Sequence, residues 1–406
     1  MWHSYIINCL KKVSFSLYLV FIHAAVYGQE TAYIRLSDRS QISVITMGPD
    51  LRELYAAFGH NAIRVYDPVN EIDLAYNYGT FDFDQPNFYL NFARGDLLYK
   101  LSVYDYSQLK RFYIYYNRFI HEQVLDLDPG QRQRVFNYLE QNARPENASY
   151  NYDYFYDNCA TRIRDVFVDV FEDSIRFDGS YIFTQETVRE LTDHYLLGKF
   201  HWGDLGIDFC LGMPMDKPLS PYEYMYIPDY IESGFKHAWL TRPDGSEIPV
   251  VKAINVEFKS TPTQSKTIIT PLLVFTLLLV TGIAITWVNW NKQKKGKYID
   301  FGLFFFTGFL GIFLTLLWFA TNHAAAARNL NILWAFPPHI VMAFLILREI
   351  KHPFIKYYFR TTVMVMVLLL ISWKWQPQML HFSLIPVIMM ITLRAAWIGW
   401  GSAYNK

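Results

Sequence analysis

The chain has 406 residues, of which 52% are hydrophobic and 18% are aromatic, and its 37 basic residues are balanced by 37 acidic ones. This balance excludes a protein built around a basic surface for nucleic acid or another polyanion. Charged and turn-forming residues are spread through the first two-thirds, whereas long apolar runs dominate after about residue 268. The division predicts one soluble domain followed by one membrane domain.

Residues 1–28 have the features of a secretory signal peptide. Two lysines precede an apolar stretch that ends at Val26, and we expect cleavage near Gly28. An uncleaved anchor is the alternative, because Tyr18 and His23 interrupt the apolar stretch. Either interpretation predicts that the domain after this segment is exported.

The first chemically suggestive segment is a predicted β-hairpin. A strand begins at His60, a turn is expected at residues 67–70, and a second strand covers residues 72–78. With this four-residue loop His60 lies directly opposite Asn77, and opposed residues share a face of the sheet. Arg64 lies on the same face and is a candidate for contacting a phosphate or carboxylate.

The second suggestive segment is a predicted helix whose first turn contains Cys159. Apolar residues repeat at spacings of three and four from Ile163 onward, so the helix has one buried face. Asp157 or Asn158 is the expected cap. Free amide groups and the positive end of the helix dipole would stabilise a thiolate at this position, and a nearby imidazole would lower its pKa further. The same amides can hold an oxyanion.

Two cysteines fall in the exported domain, Cys159 and Cys210. A disulfide between them is one interpretation for an exported protein. Taken alone, Cys159 is typical of a small core residue, and His60 of a structural histidine. The helix start and the separate strand histidine together favour a thiol nucleophile with an imidazole base.

The C-terminal part contains five apolar segments that we interpret as membrane spans, although the fourth is short. They cover about 268–289, 300–320, 331–347, 361–374 and 379–399. Basic residues concentrate in the first and third loops, which places those loops in the cytoplasm and the exported domain on the other side. Arg394 lies near the cytoplasmic end of the last segment and is expected to snorkel toward water.

The outer loop after the second segment collects polar residues, among them His323, Asn329 and Asn331. One interpretation is ordinary anchoring at the membrane interface. The other is a rim that binds headgroups or guides substrate toward the catalytic domain.

These residues resemble known families. A histidine at a strand start followed by Ala-Ile-Arg-Val, and later an Asn-Cys pair opening a helix, is the order found in circularly permuted papain-like (NlpC-type) proteins such as lecithin:retinol acyltransferase. Residues 58–65, 77–83 and 157–161 are more closely similar to the periplasmic domain of the lipoprotein N-acyltransferase family Lnb. The similarity extends into the helical segments and covers nearly the whole mature chain.

The resemblance implies an α+β fold with a permuted papain-like periplasmic domain over residues 29–265. An all-α, multi-pass transmembrane domain of about five helices follows over residues 266–406, in the bacterial inner membrane. It implies an enzyme that transfers a fatty acyl chain from a phospholipid or lipoprotein donor to the N-terminal amine of a diacylglyceryl-cysteine lipoprotein. Neither a cofactor nor a metal is expected.

By the same resemblance, Cys159 is the nucleophile, His60 the general base and acid, and Asn77 the residue that orients the imidazole, with Asp73 in reserve. The expected substrate contacts are Arg64, Asn158, His323, Asn329 and Asn331. Two other functions compete: a membrane-anchored papain-like peptidase or amidase acting on cell-wall peptides, and a non-catalytic binding module that uses the aromatic surface. A peptidase needs at most one anchor, which makes the five-segment tail the discriminating feature.

Overall fold

The computed structural model describes residues 34–81, 85–261 and 269–405. The predicted signal peptide, residues 1–28, lies outside the described residues. Within these ranges the chain has mixed α+β architecture, with an N-terminal sheet domain and a C-terminal helical region. The predicted fold class is confirmed at this level.

Ten strands in the described residues form two antiparallel sheets. The larger has the strand order β10-β5-β1-β2-β3-β4-β6, and the smaller has the order β7-β8-β9. The strands are β1 (Gln41–Met47), β2 (His60–Asp67), β3 (Ile72–Thr80), β4 (Leu98–Asp105), β5 (Ile120–Leu125), β6 (Ser149–Asn151), β7 (Ile175–Phe177), β8 (Ala238–Thr241), β9 (Glu247–Pro249) and β10 (Val251–Phe258).

Helices of the sheet domain flank these strands in sequence. They are α1 (Phe88–Arg94), α2 (Tyr106–Tyr115), α3 (Pro129–Asn142), α4 (Cys159–Phe171), α5 (Val188–Leu196), α6 (His201–Cys210), α7 (Pro221–Tyr224) and α8 (Pro228–Lys236).

Helix α4 packs its apolar face against the large sheet. Ile163 and Phe167 of α4 are fully buried in the same core as Ile63 and Val65 of β2. Because strand side chains alternate between faces, Ala62 belongs to a separate cluster. This packing fixes the start of α4 at the end of the sheet where β2 begins.

The β2–β3 hairpin has a register two residues away from the predicted one. Asp67 pairs with Ile72, so the loop comprises residues 68–71 rather than 67–70. The Asp67 carboxylate accepts a hydrogen bond from the Val69 amide at 3.0 Å, which starts the turn one residue later than predicted. A shift of two residues preserves the faces of the sheet, because side chains alternate with a period of two.

Continuing this register would place Gly79, rather than Asn77, opposite His60. Strand β3 also bulges at this point, because Asn77 pairs with Ser102 but Thr80 pairs with Lys100, leaving two residues of β3 against one of β4. Gly79 lies within the bulge and has a φ of +92°. An L side chain rarely adopts that conformation, so the bulge depends on glycine.

The helical region begins after the second gap in the described residues. Its helices are α9 (Pro271–Lys292), α10 (Lys297–Phe319), α11 (His339–Leu347), α12 (Pro353–Ile371), α13 (Ile385–Trp400) and α14 (Ser402–Asn405).

Four helical stretches in the described residues are long and apolar enough to cross a membrane. They cover residues Pro271–Lys292, Lys297–Phe319, Pro353–Ile371 and Phe382–Trp400. The fourth predicted segment is therefore not short: its helix starts at Pro353 and has 19 residues. Lys356 and Arg360, which made it appear short, occupy its first turns at the predicted cytoplasmic end, where long basic side chains are tolerated. The third segment is the short one, because α11 has only nine residues.

The expectation that Arg394 snorkels is wrong. Its side chain has no exposed surface and forms a two-pronged ion pair with Asp300 of α10, at 2.6 and 2.9 Å. It also donates to the Thr286 hydroxyl of α9 at 2.8 Å. The guanidinium therefore connects three helices inside the bundle instead of extending to water.

Candidate active site

Cys159 is the first residue of α4 and a half-buried free thiol. Asn158, rather than Asp157, caps the helix: its Oδ1 accepts from the amides of Ala160 at 2.8 Å and Thr161 at 3.0 Å. The Thr161 hydroxyl accepts from the Asn158 amide at 2.8 Å and completes a capping box. The cap directs the positive end of the helix dipole toward the Cys159 sulfur.

His60 is the first residue of β2, and its Nε2 lies 2.5 Å from Oδ1 of Asn77. The Asn77 amide nitrogen donates to the Thr80 hydroxyl at 3.0 Å, which fixes the orientation of the side-chain amide. Because Oδ1 can only accept a hydrogen bond, Nε2 carries a proton in both the neutral and the charged form of the imidazole. This arrangement leaves Nδ1 as the nitrogen that exchanges a proton with a thiol.

The Cys159 thiol and the His60 imidazole shift the pKa values of each other in opposite directions. Burial raises the pKa of Cys159, but the charge and hydrogen bond of His60 and the amides of Asn61 and Ala160 outweigh it, so the pKa lies below its usual range. Burial lowers the pKa of His60, whereas Cys159 and the hydrogen bond to Asn77 raise it above its usual value. Opposite shifts of this kind favour thiolate and imidazolium over two neutral groups.

Gly79 is a site residue that our sequence reasoning missed. A Cβ added there would lie 3.3 Å from the Cys159 Cβ and 3.7 Å from His60 Cε1. The strand therefore approaches the pair closely because it has no side chain at this position. An isolated glycine inside a strand pattern was the available signal, since it suggests a bulge or a close backbone approach.

Cys210 is chemically unlike Cys159. It ends α6 as a free thiol, and burial raises its pKa to about 11. The disulfide between the two cysteines, one of the two interpretations from the sequence, is therefore not formed. A thiol with so high a pKa is a poor nucleophile at neutral pH.

Arg64 and Asp73, both considered for the site, bind each other. The Arg64 guanidinium donates to the two carboxylate oxygens of Asp73 at 2.7 and 3.0 Å and pairs with Glu122 at 3.0 Å. Asp73 is thus the ion-pair partner of Arg64 rather than of His60. These carboxylates already balance the charge of the guanidinium in the absence of substrate, so a contact between Arg64 and substrate stays a prediction.

The three asparagines expected to bind substrate make hydrogen bonds within the protein. Asn158 caps α4, while Asn329 and Asn331 each donate to the carbonyl of Phe209 at the end of α6, at 2.8 and 3.2 Å. Both outer-loop asparagines are buried. Their observed contacts join the sheet domain to the helical region, and a contact with substrate stays a prediction for all three.

The outer loop that contains His323 lies against the same side of the sheet domain as Cys159. A Cβ added at Gly95 would be 3.0 Å from His323 Nδ1, and burial lowers the pKa of His323 despite the nearby charge of Asp153. Ala325 packs against a hydrophobic cluster that also contains Phe58 and Tyr154, which precede His60 and Cys159 in sequence. The site is thus next to the outer end of the helical region, although substrate binding by His323 stays a prediction.

Two protein-family models match the chain, one in each part. Residues 29–194 match the Lnb N-terminal periplasmic domain, and residues 263–406 match the Lnb transmembrane domain. The chain belongs to the Lnb family. No curated protein and no solved structure matches it.

Membership of the Lnb family implies a role of the lipoprotein N-acyltransferase type at a membrane, with a periplasmic domain. The first Lnb match includes both His60 and Cys159, and the second contains the four candidate spans. The family resemblance drawn from the sequence is confirmed. The permuted papain-like arrangement stays a prediction.

Proposed function

We propose that this Lnb family member transfers a fatty acyl chain through a thioester on Cys159 to the N-terminal amine of a diacylglyceryl-cysteine lipoprotein. The donor is a phospholipid or another lipoprotein. One observation carries the proposal: a thiol with a lowered pKa lies beside an imidazole with a raised pKa, next to the outer loop of the transmembrane domain. A ready thiolate close to lipid is what acyl transfer from a lipid ester requires.

In the first half-reaction the Cys159 thiolate attacks the ester carbonyl carbon of the donor. The new C–S bond forms as the carbonyl electrons move onto oxygen, and the tetrahedral intermediate collapses by breaking the C–O bond. The His60 imidazolium then gives its Nδ1 proton to the leaving alkoxide. With a phospholipid donor the products are an acyl thioester and a lysophospholipid.

In the second half-reaction the amine of the lipoprotein attacks the thioester. An α-amine has a pKa of about 7.7–8.0, so a substantial fraction is neutral near physiological pH. His60 accepts the proton that the attacking nitrogen loses, the C–N bond forms, and Cys159 leaves as a thiolate. The enzyme returns to its starting ion pair with the proton on the imidazole.

Aromatic side chains beside the thiol support transfer over hydrolysis. Tyr152 stacks on Tyr99 with ring centroids 4.2 Å apart. Burial, and after it the charge of Cys159, raise the pKa of both phenols, which identifies them as neighbours of the sulfur. A wall of rings limits the access of water to a thioester while the amine replaces the first product.

Hydrolysis of cell-wall peptides is the less favoured function. A peptidase of this kind needs at most one membrane anchor, whereas residues 263–406 match the Lnb transmembrane domain and contain four candidate spans. A non-catalytic binding module does not need a thiol with a lowered pKa. Full function in cells of the variants Cys159→Ser and His60→Ala would favour such a module.

The proposal is tested in a strain that lacks all other lipoprotein N-acyltransferases. Mass spectra of a reporter lipoprotein should show an added N-acyl chain when the wild type is expressed and none with Cys159→Ser. The matched control, Cys210→Ser, removes the other described thiol and should leave the modification intact. An unmodified reporter with the wild type, or an N-acyl group that persists without the protein, would eliminate this assignment.

A further inference from the structure

The hydroxyl of Tyr150 is a buried polar group without a hydrogen-bond partner among the described residues. Tyr150 belongs to β6 and is 9% exposed. A buried hydroxyl left unpaired costs stability, because folding removes its hydrogen bonds to water and supplies none in return. A buried hydroxyl that stays without a partner in the folded protein therefore needs an explanation.

The orphan hydroxyl is next to the thiol and the imidazole. A Cβ built on Gly79 would lie 3.3 Å from Cys159 Cβ, 3.7 Å from His60 Cε1 and 3.9 Å from the Tyr150 oxygen. All three groups therefore lie within 4 Å of one point beside the bulge in β3. An acyl carbonyl bonded to the Cys159 sulfur would be within reach of the hydroxyl.

Neighbouring groups hold the Tyr150 ring. The Arg162 guanidinium lies 4.3 Å from the ring centroid and is itself paired with Asp157, and Tyr78 meets the ring edge-on at 6.2 Å. Burial, followed by the charge of Cys159, raises the pKa of Tyr150, so the phenol keeps its proton at neutral pH. It is therefore a fixed donor that cannot compete as a base.

The helix start provides fewer oxyanion donors than the sequence suggested. The Asn158 cap already occupies the amides of Ala160 and Thr161. In the first turn of α4 this leaves the amide of Cys159 itself, which as the first helical residue has no acceptor within the helix. The amide of Asn61 already hydrogen-bonds to the Cys159 sulfur. An oxyanion hole normally presents at least two donors, so the helix start alone does not complete one and the Tyr150 hydroxyl can supply a further donor.

We propose that the Tyr150 hydroxyl donates a hydrogen bond to the oxyanion formed when Cys159 adds to an acyl carbonyl, and is a catalytic residue in both half-reactions. This inference rests on the proposed thioester chemistry and adds a residue to it. As the C–S bond forms, the carbonyl electron pair moves to oxygen and Tyr150 O–H donates to it without transferring its proton. As the tetrahedral intermediate collapses, the electron pair re-forms the C=O bond and the hydrogen bond from the hydroxyl weakens.

The test compares Tyr150→Phe with Tyr138→Phe, which removes a hydroxyl of α3 that donates to Asp169 instead. Thioester formation from phospholipid should slow by about 10²-fold with Tyr150→Phe, the typical effect of one lost oxyanion donor, with KM nearly unchanged. It should change little with Tyr138→Phe. The pH profile of Cys159 alkylation by iodoacetamide, a reaction without an oxyanion, should be the same in all three proteins.

A fatty aldehyde gives an independent readout, because its hemithioacetal with Cys159 carries the same oxygen as the intermediate. Tyr150→Phe should weaken inhibition by the aldehyde while leaving alkylation intact, which a misfolded variant cannot do. Unchanged rate and inhibition in Tyr150→Phe, or equal losses in Tyr150→Phe and Tyr138→Phe, overturn this role while the thioester remains. Failure of the wild type to form any thioester would instead reject the proposed function.

Discussion

His60 reaches Asn77 along a diagonal of the β2–β3 hairpin, with Nε2 and Oδ1 2.5 Å apart. The contact fixes the imidazole tautomer as well as its position. Asn77→Ala should lower the rate of thioester formation by up to about 10²-fold, because a small misplacement of a catalytic group has effects of that size. Steady-state kinetics with phospholipid donor measure the change, which should appear in kcat rather than KM.

Asn255→Ala is the matched control for this variant, since it removes an exposed amide from β10 of the same sheet. We expect wild-type kinetics from it. Equal losses from the two variants would show that Asn77 contributes only to sheet stability.

The ion pair predicts the pH dependence of Cys159 reactivity. The pKa of the thiol is lowered, so the rate should rise with pH through a value below that of an ordinary cysteine. The pKa of His60 is raised above its usual value. Acyl transfer should therefore fall once the pH exceeds the pKa of His60, because the imidazolium loses its proton. Alkylation rates report the first limb, and phospholipid turnover reports both. In His60→Ala the rise in alkylation rate should move to higher pH, because the imidazole no longer offsets the burial of the thiol. An unmoved limb would contradict the pair.

Gly79→Ala should abolish most activity without unfolding the domain. The added Cβ meets Cys159 Cβ at 3.3 Å, and the φ of +92° is unfavourable for alanine. Strained backbone positions cost roughly 1–3 kcal/mol, which a domain of this size can tolerate. Gly206→Ala is the control, because it lies in α6 with open space around it and should keep full activity. The prediction fails if Gly79→Ala turns over phospholipid at the wild-type rate.

The sequence predicted the face of His60 and Asn77 correctly because a period of two survives a register error of two residues. It predicted the start of α4 because apolar spacing and a cap are local signals. The bulge at Gly79 depends on pairing between β3 and β4, which is set by contacts across the sheet. No local pattern reveals the partner of Arg394, since Asp300 lies 94 residues away. The features that the sequence predicted depend on local signals. Those that it missed depend on pairing between residues far apart in the chain.

The buried pair between Arg394 and Asp300 should be costly to break but dispensable as a whole. Replacing one partner leaves an uncompensated buried charge, so Arg394→Leu should lower stability by about 3–5 kcal/mol. The double variant Asp300→Leu with Arg394→Leu should recover most of this loss, because apolar replacements of a buried pair are often neutral. Thermal unfolding in detergent measures both. A double variant as unstable as the single one would contradict the assignment of the cost to charge.

Asp193 of α5 should destabilise the protein at alkaline pH. Burial and then the charges of Asp208 and Asp204 raise its pKa to about 8. The folded state therefore holds a proton that the unfolded state releases near pH 4, and the free energy of unfolding falls as pH rises between these values. Asp193→Asn should raise Tm at pH 8 more than at pH 5. Equal shifts of Tm by Asp193→Asn at the two pH values would disprove the raised pKa.

Trapping the acyl group on the enzyme tests the central claim most directly. Purified protein is incubated with phospholipid bearing a labelled acyl chain, quenched in acid, and its peptides are analysed by mass spectrometry before and after neutral hydroxylamine. The label should be on the peptide that contains Cys159, should be released by hydroxylamine, and should be absent from Cys159→Ser but present in Cys210→Ser. Transfer of the acyl chain to a lipoprotein without any label on Cys159, or with undiminished transfer in Cys159→Ser, would contradict the mechanism.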